Sequence, residues 1–340
     1  MNLKQHLILL KDKRDLFRQP EVISTGNISY ANWWKDDPNK IWFTKAIRSW
    51  FNDNTTTPIR FYSVFGPRKK TDEKYNGIKV FYTGENVEPR VRYNCLNERV
   101  EKAAGWESRM EAYRDYAISS MDLSIGFGFH QMDKYLRLPF WVLRYFEPTD
   151  TVSDIQNRLD KIEMQAGTNA SSSIRKGAAI IASHDFFGTR ANIADTLSDV
   201  ISIEYGGKWR NSSDDLWNKC NNDKGKYLTN FRFNICPENM DAPGYVTEKI
   251  FDAYSSGTIP IYHGDLGHPE ISILNPESYI SWNYDDDNED NINTIIKLEQ
   301  DNDFYREFLK QNKFKNGAAE YIFDTYIEPL HNAFDLLLKQ

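Results

Sequence analysis

One stretch in the second half of the chain restricts the possible folds more than any other. Residues 231–264 read FRFNICPENMDAPGYVTEKIFDAYSSGTIPIYHG. Apolar alternation at residues 231–235 predicts a strand, and a helix is expected to begin at Thr247 after a loop with Pro and Gly. Residues 258–262 then predict a second buried strand. This order is a βαβ unit, which requires a parallel sheet.

The loop of this unit carries the first candidate binding residues. Open α/β sheets bind their ligands at the carboxyl ends of the strands, where this loop lies. The polar side chains of the loop and of the first helical turn are Glu238, Asn239, Tyr245, Thr247, Glu248 and Lys249.

A phosphate-binding role is suggested by a second predicted helix at residues 189–200, which starts beside Arg190. Helix N-termini present free N–H groups and the positive end of the helix dipole, so they attract phosphates. Arg190 and Lys249 are placed to hold a pyrophosphate without a metal. Glu238 and Glu248 are placed to accept hydrogen bonds from ribose or sugar hydroxyls. Ordinary helix capping, with Lys249 on the solvated surface, explains the same segment equally well.

Alternating strand and helix patterns in both halves predict an α/β protein with two domains. A chain of 340 residues is long for one core. We expect two Rossmann-like domains that face a cleft, the first over residues 1–150 and the second over 151–317. Residues 318–340 are predicted to be helical, with packing back on the N-terminal domain left open. The boundary is poorly defined over residues 146–187.

Composition narrows the class of protein. The net charge of −7 argues against a nucleic-acid-binding face. The three cysteines have no disulfide or zinc spacing, and the acidic run at residues 285–287 is best explained as a loop, so no metal site is expected.

Residues 1–20 predict a short amphipathic helix. No segment approaches the roughly 20 apolar residues of a membrane span, so we expect a cytoplasmic chain, with peripheral contact to the inner membrane left open.

A pair of carboxylates follows another predicted strand at residues 78–82. The next residues read TGENVEP and contain Glu85 and Glu88. A carboxylate at the carboxyl end of a strand can take a proton from an attacking hydroxyl, so both are candidate general bases. Read alone, each is better explained as an exposed loop charge. The dinucleotide, P-loop and serine-hydrolase motifs are absent from the sequence.

Several motifs together resemble the α1,3/4-fucosyltransferases of glycosyltransferase family 10, especially the bacterial, Helicobacter-like type. The resemblance runs over about residues 27–283 and is most specific in the stretch described first. The other matching segments, in chain order, are ANWW at 31–34, VFYTGEN at 80–86, YLRLP at 135–139 and the helix at 190–200.

The resemblance implies a GT-B fold and an inverting fucosyltransferase. The implied donor is GDP-β-L-fucose and the implied acceptor a β-galactosyl-N-acetylglucosamine, as in Lewis-antigen-type glycans of lipopolysaccharide or protein. Glu85 matches the family's general base and Arg190 its pyrophosphate ligand. Further donor contacts match Tyr245, Glu248 and Lys249, and no cofactor is required, with a divalent metal at most stimulatory.

Departures from the family leave alternatives open. The family's CFEN is CPEN at residues 236–239 here, and Glu88 is a rival base to Glu85. The motifs do not separate α1,3 from α1,4 linkage, identify the acceptor or fix the oligomeric state. A GT-B transferase with another nucleotide-sugar donor is the main alternative. A silent glycan-binding protein is less suited, because glycan binding needs no pair of diphosphate-binding cations such as Arg190 and Lys249.

Overall fold

The computed structural model describes residues 22–51, 55–97, 100–171 and 175–339. The amphipathic helix predicted at residues 1–20 lies outside these ranges. The described residues form two separate β-sheets with helices packed around them. The predicted α/β class is therefore confirmed.

The first sheet has six strands in sequential order, β1 to β6. β1 and β2 form an antiparallel hairpin around Gly26, whose φ of 58° is one that glycine adopts without strain, and all later pairs are parallel. The strands are β1 Ile23–Thr25, β2 Ile28–Ala31, β3 Ile59–Tyr62, β4 Ile78–Tyr82, β5 Leu123–Gly126 and β6 Tyr135–Arg137.

The second sheet is fully parallel and has five strands in the order β11-β10-β9-β7-β8. This is a doubly wound order whose direction reverses between β7 and β9. In such sheets the crevice outside the strand ends at the reversal is where ligands bind. The strands are β7 Ala178–Ile180, β8 Ile203–Tyr205, β9 Phe233–Ile235, β10 Ile259–Tyr262 and β11 Ile280–Ser281.

Helices connect the strands and cover the sheets. In the first half they are α1 Trp42–Phe51, α2 Val100–Glu111, α3 Phe140–Tyr145 and α4 Val152–Ser171. In the second half they are α5 Thr189–Leu197, α6 Asp215–Asn218, α7 Lys224–Leu228, α8 Lys249–Ser255, α9 Glu289–Gln300, α10 Asn302–Leu309, α11 Ala318–Ile322 and α12 Glu328–Leu338, with a π-helical turn at Phe323–Ile327 before α12. Short 3₁₀ turns lie at Arg68–Asp72, Ile118–Ser120, Asp265–Gly267 and Pro276–Ser278.

The largest core joins elements from both halves. Trp141 of α3 stacks on Phe251 of α8 with 4.6 Å between ring centroids. The ring centroids of Phe334 in α12 and Phe61 in β3 lie 6.1 Å apart, so the C-terminal helix packs against the first sheet. These contacts fix the second-sheet elements relative to the carboxyl ends of the first-sheet strands.

Candidate active site

The reversal of strand order in the second sheet brings two predicted site residues together. Arg190 follows β7 at the start of α5, and Asn239 follows β9. The guanidinium of Arg190 donates to Asn239 Oδ1 at 2.7 Å and to the His184 carbonyl at 3.3 Å. Arg190 is only 6% exposed. A rigid cation therefore lies at the crevice that this sheet order creates.

The backbone amides at the start of α5 already have a partner. The Asp185 carboxylate accepts from the backbone N–H of Arg190 at 3.3 Å and of Ala191 at 2.8 Å, and from the Thr189 hydroxyl at 3.3 Å. The sequence suggests that this helix start offers free amides to a phosphate. In the structure the Arg190 guanidinium is the group at this helix start that remains suited to bind an anion.

Glu238 organises the loop before α8. Its buried carboxylate accepts from the Thr247 N–H at 2.8 Å, the Lys249 ammonium at 2.6 Å and the Tyr262 hydroxyl at 3.0 Å. The Thr247 hydroxyl donates to both of its oxygens. A carboxylate with this many donors is largely satisfied by the protein. Glu238 thus fixes Lys249 in place, whereas the sequence suggests direct contact with a ligand hydroxyl.

Thr247 does not cap the helix as its position in the sequence suggests. Because its N–H and its hydroxyl both bond to Glu238, α8 begins two residues later, at Lys249, with Glu248 before it. Burial alone would lower the pKa of Lys249, but the adjacent carboxylates of Glu238 and Glu248 outweigh it and raise that pKa. Lys249 is therefore a cation at neutral pH.

Glu248 lies on the same rim and stays ionised. Burial opposes its ionisation, but Lys249, a backbone hydrogen bond and Lys224 together hold its pKa below the ordinary value. Lys224 is exposed at the start of α7 and lines the same cavity as Arg190, Glu248 and Lys249. Sequence reasoning missed Lys224, since only the packing of α7 against α8 brings it there.

Glu85 approaches this cluster from the other sheet. It lies in the loop after β4, which the Thr83 hydroxyl tightens by accepting from the Glu85 N–H at 3.0 Å. Burial raises the pKa of Glu85, the ammonium of Lys249 lowers it, and the carboxylates of Glu248 and Glu238 raise it; the net change is upward. Residues distant in sequence thus form one electrostatic site.

Tyr245 lies between the two parts of this site. It is 2% exposed, and its ring packs edge-on against Phe127 with 4.9 Å between centroids. Burial raises the pKa of Tyr245, and the nearby carboxylate of Glu85 raises it further. The phenol therefore stays protonated and keeps its O–H as a hydrogen-bond donor.

The rival carboxylate, Glu88, has structural partners instead. Its Oε1 accepts from the Tyr116 hydroxyl at 2.7 Å and lies 2.5 Å from His130 Nε2. Glu88 borders a cavity of about 280 Å³ that Asn86 also lines. Glu85, by contrast, is close enough to the Lys249 ammonium for that charge to lower its pKa.

Two further findings concern the described residues as a whole. Within them, His, Cys, Asp and Glu side chains do not come together in groups of three or more that could hold a metal ion. None of the described helices is long and apolar enough to cross a membrane.

Solved structures share this fold. A crystal structure of an α1,3-fucosyltransferase with GDP-fucose superposes with a TM-score of 0.59 at 22% identity, over 96% of this chain and 95% of that one. Another α1,3-fucosyltransferase structure gives a TM-score of 0.62 at 24% identity, over 92% and 90% of the two chains. The fold is thus of the GT-B type, as expected.

Sequence comparisons agree in both halves. Residues 28–144 match the family described as "Alpha-(1,3)-fucosyltransferase FucT N-terminal domain". Residues 172–325 match "Glycosyltransferase family 10 (fucosyltransferase) C-term". The Alpha-(1,3)-fucosyltransferase FucT of Helicobacter pylori is 27% identical over an alignment of 346 positions, which covers 92% of this chain and 66% of that protein.

The fold and the family matches together identify a glycosyltransferase of the GT-B class. The chain belongs to glycosyltransferase family 10, the fucosyltransferases. The resemblance that its motifs suggest is thereby confirmed.

Proposed function

We propose that this chain transfers L-fucose from GDP-β-L-fucose to the N-acetylglucosamine of a β-galactosyl-N-acetylglucosamine acceptor, with inversion at the fucose anomeric carbon. The observation that carries the proposal is the coupling of Glu85, from the first half, to Lys249 and Glu248 of the second. The base comes from one half and the site for the GDP leaving group from the other. This arrangement suits a reaction in which an acceptor hydroxyl displaces GDP from the donor.

The donor would bind on the second half, over residues 151–317. Arg190 and Lys249 would stabilise the charge of the departing GDP, because preorganised cations act most strongly where charge develops. Tyr245 and Glu248 would bind sugar or ribose hydroxyls. Asn239 and Glu238 would act mainly by holding Arg190 and Lys249, as their hydrogen bonds support.

The first half, over residues 1–150, would present the acceptor, with residues 318–340 bracing it. Glu85 would accept the proton of the acceptor hydroxyl while that oxygen attacks the fucose C1 and the bond to the GDP phosphate breaks. Its raised pKa suits a base, because proton transfer is most efficient when the pKa lies near the working pH. One displacement inverts the centre and forms no covalent enzyme intermediate.

The proposal extends to the linkage, the cofactor requirement and the location of the chain. The α1,3 linkage, rather than α1,4, is supported by the name of the Helicobacter pylori relative. The two cations carry out the charge stabilisation, so no metal or other cofactor is needed. A cytoplasmic location, with peripheral contact to the inner membrane left open, matches a donor that is a soluble nucleotide sugar.

The test compares two matched variants, Glu85→Gln and Glu88→Gln, in transfer from GDP-fucose to type 1 and type 2 disaccharides, with EDTA present. We expect Glu85→Gln to lower kcat by about 10²–10⁴, the range for a general base, while GDP still raises the melting temperature. Glu88→Gln should retain most activity. NMR of the product identifies the linkage.

Other outcomes would contradict specific parts of the proposal. Full turnover by Glu85→Gln would remove that residue as the base, and loss of turnover only in Glu88→Gln would assign the role to its rival. Stabilisation by UDP or ADP but not by GDP would point to a different nucleotide-sugar donor. Loss of transfer in EDTA would show that a metal takes part.

A further inference from the structure

The loop after β5 exposes an aromatic ring that the proposed mechanism does not use. Phe129 is 62% exposed, whereas Phe127, two residues earlier, is 1% exposed. Single exposed apolar residues are common on protein surfaces and usually need no explanation. Phe129 differs because of how it is held and where it lies.

The ring of Phe129 is fixed from one side by a cation whose own side chain is only 10% exposed. The Arg137 guanidinium lies 4.3 Å from its centroid, a cation–π contact. Arg137 is anchored by the Glu270 carboxylate at 2.8 Å and the Phe127 carbonyl at 2.7 Å. An exposed ring on a rigid support loses little conformational entropy when a ligand covers it.

The same loop borders the candidate active site at Tyr245 and at the residue before it. Phe127 packs against Tyr245, and His130 contacts Glu88. Phe129 itself lies against Gly244, where an added Cβ would come within 3.1 Å of its ring. The neighbouring strand, β4, leads into the loop that carries Glu85. The ring is therefore adjacent to the residue before Tyr245, at the carboxyl edge of the first sheet.

We propose that Phe129 is a stacking platform for a hexopyranose ring of the acceptor. The inference rests on the proposed function, since it assigns the ring to the acceptor side of that site. A pyranose presents a face of C–H groups, which packs on the face of an aromatic ring, while its hydroxyls remain available to polar groups. Phe129 would orient the acceptor rather than take part in the chemistry.

The test separates acceptor binding from all other steps. Phe129→Ala should raise the acceptor KM about tenfold, the factor that corresponds to one ordinary interface contact, with kcat changed far less. Phe129→Trp should restore the acceptor KM, because it keeps a flat apolar face. Slow hydrolysis of GDP-fucose without acceptor and the thermal shift with GDP should match the unmodified chain in both variants.

A matched control is Leu336→Ala, which removes a side chain of similar exposure, 65%, from α12. It should leave the acceptor KM unchanged. The platform role of Phe129 would be overturned by an unchanged acceptor KM in Phe129→Ala. It would also be overturned if Phe129→Ala lost as much GDP-fucose hydrolysis as it lost transfer to the acceptor. If the unmodified chain transfers no fucose and is not stabilised by GDP, the proposed function fails instead, so the two failures are distinguishable.

Discussion

At the scale of single residues, Glu85 combines a functional and a thermodynamic property. Its raised pKa means that the folded chain holds the Glu85 proton more tightly than the unfolded chain does. Ionised Glu85 therefore destabilises the fold, a cost of the kind that active sites often carry. The surrounding carboxylates of Glu248 and Glu238 add to this cost, and Lys249 offsets part of it.

This gives a stability prediction with a defined pH dependence. Below the ordinary Glu pKa of 4.5, both folded and unfolded chains are protonated at Glu85, so Glu85→Gln should leave stability unchanged. Between that value and the raised folded pKa the cost appears, and above the folded pKa it is complete. Glu85→Gln should therefore be more stable than the unmodified chain at pH 7.5. The measurement is the urea midpoint of both proteins at pH 7.5 and at a pH below 4.5.

The control for this prediction is Glu88→Gln, which loses charge at a carboxylate bonded to Tyr116 and His130. That variant should gain no stability at pH 7.5. An unchanged or lower urea midpoint for Glu85→Gln at pH 7.5 would show that ionised Glu85 carries no such cost.

At the scale of elements, the start of α8 depends on Glu238. We expect Glu238→Gln to destabilise the chain by about 3 kcal/mol, the lower end of the range for a broken buried pair, because the Glu248 carboxylate still acts on the Lys249 ammonium. In Glu238→Gln the ammonium of Lys249 is the charge left, and its side chain is 19% exposed. The measurement is the free energy of unfolding in urea, together with the KM for GDP-fucose, which should rise as Lys249 loses its fixed position.

A surface pair provides the comparison for Glu238→Gln. Glu147 pairs with Lys45 at 3.0 Å, and both side chains are more than two-fifths exposed. Glu147→Gln should cost less than about 1 kcal/mol, as exposed ion pairs do. Equal losses in the two variants would show that burial of the Glu238 pair has no energetic consequence.

The elements themselves were largely predictable, but the arrangement around them was not. The strand predicted at residues 78–82 coincides with β4, because a short, mostly apolar run suits a strand that is buried within a parallel sheet. The order of strands depends on contacts between distant segments, so the crevice between β7 and β9 is visible only in the fold. For the same reason sequence reasoning missed Lys224 and misjudged Thr247, whose cap pattern was overridden by a carboxylate nine residues away.

At the scale of the whole molecule, a buried cluster joins the two halves and the C-terminal helices. Glu270 accepts from Arg137 at 2.8 Å, from the Trp141 indole at 2.8 Å and from the Tyr326 hydroxyl at 3.1 Å. Arg137 also donates to the Gly244 carbonyl at 3.2 Å, next to Tyr245. The cluster thus ties the position of the candidate donor loop to the packing of both halves.

The coupling within this cluster can be measured with a double-mutant cycle of Arg137→Met and Glu270→Gln. Each single change should cost about 3–5 kcal/mol in the free energy of unfolding, because a buried charge loses its partner. The pair lies deep, with side-chain exposures of 10% for Arg137 and 3% for Glu270. In the double variant no charge is left uncompensated, and the amide oxygen that replaces Glu270 Oε1 still accepts from Trp141 while the amide NH₂ can donate to the hydroxyl oxygen of Tyr326. We therefore expect the loss in free energy of unfolding for the double variant to be about 2 kcal/mol smaller than the sum of the two single losses. Additive losses in urea unfolding would mean that other contacts hold the two halves together.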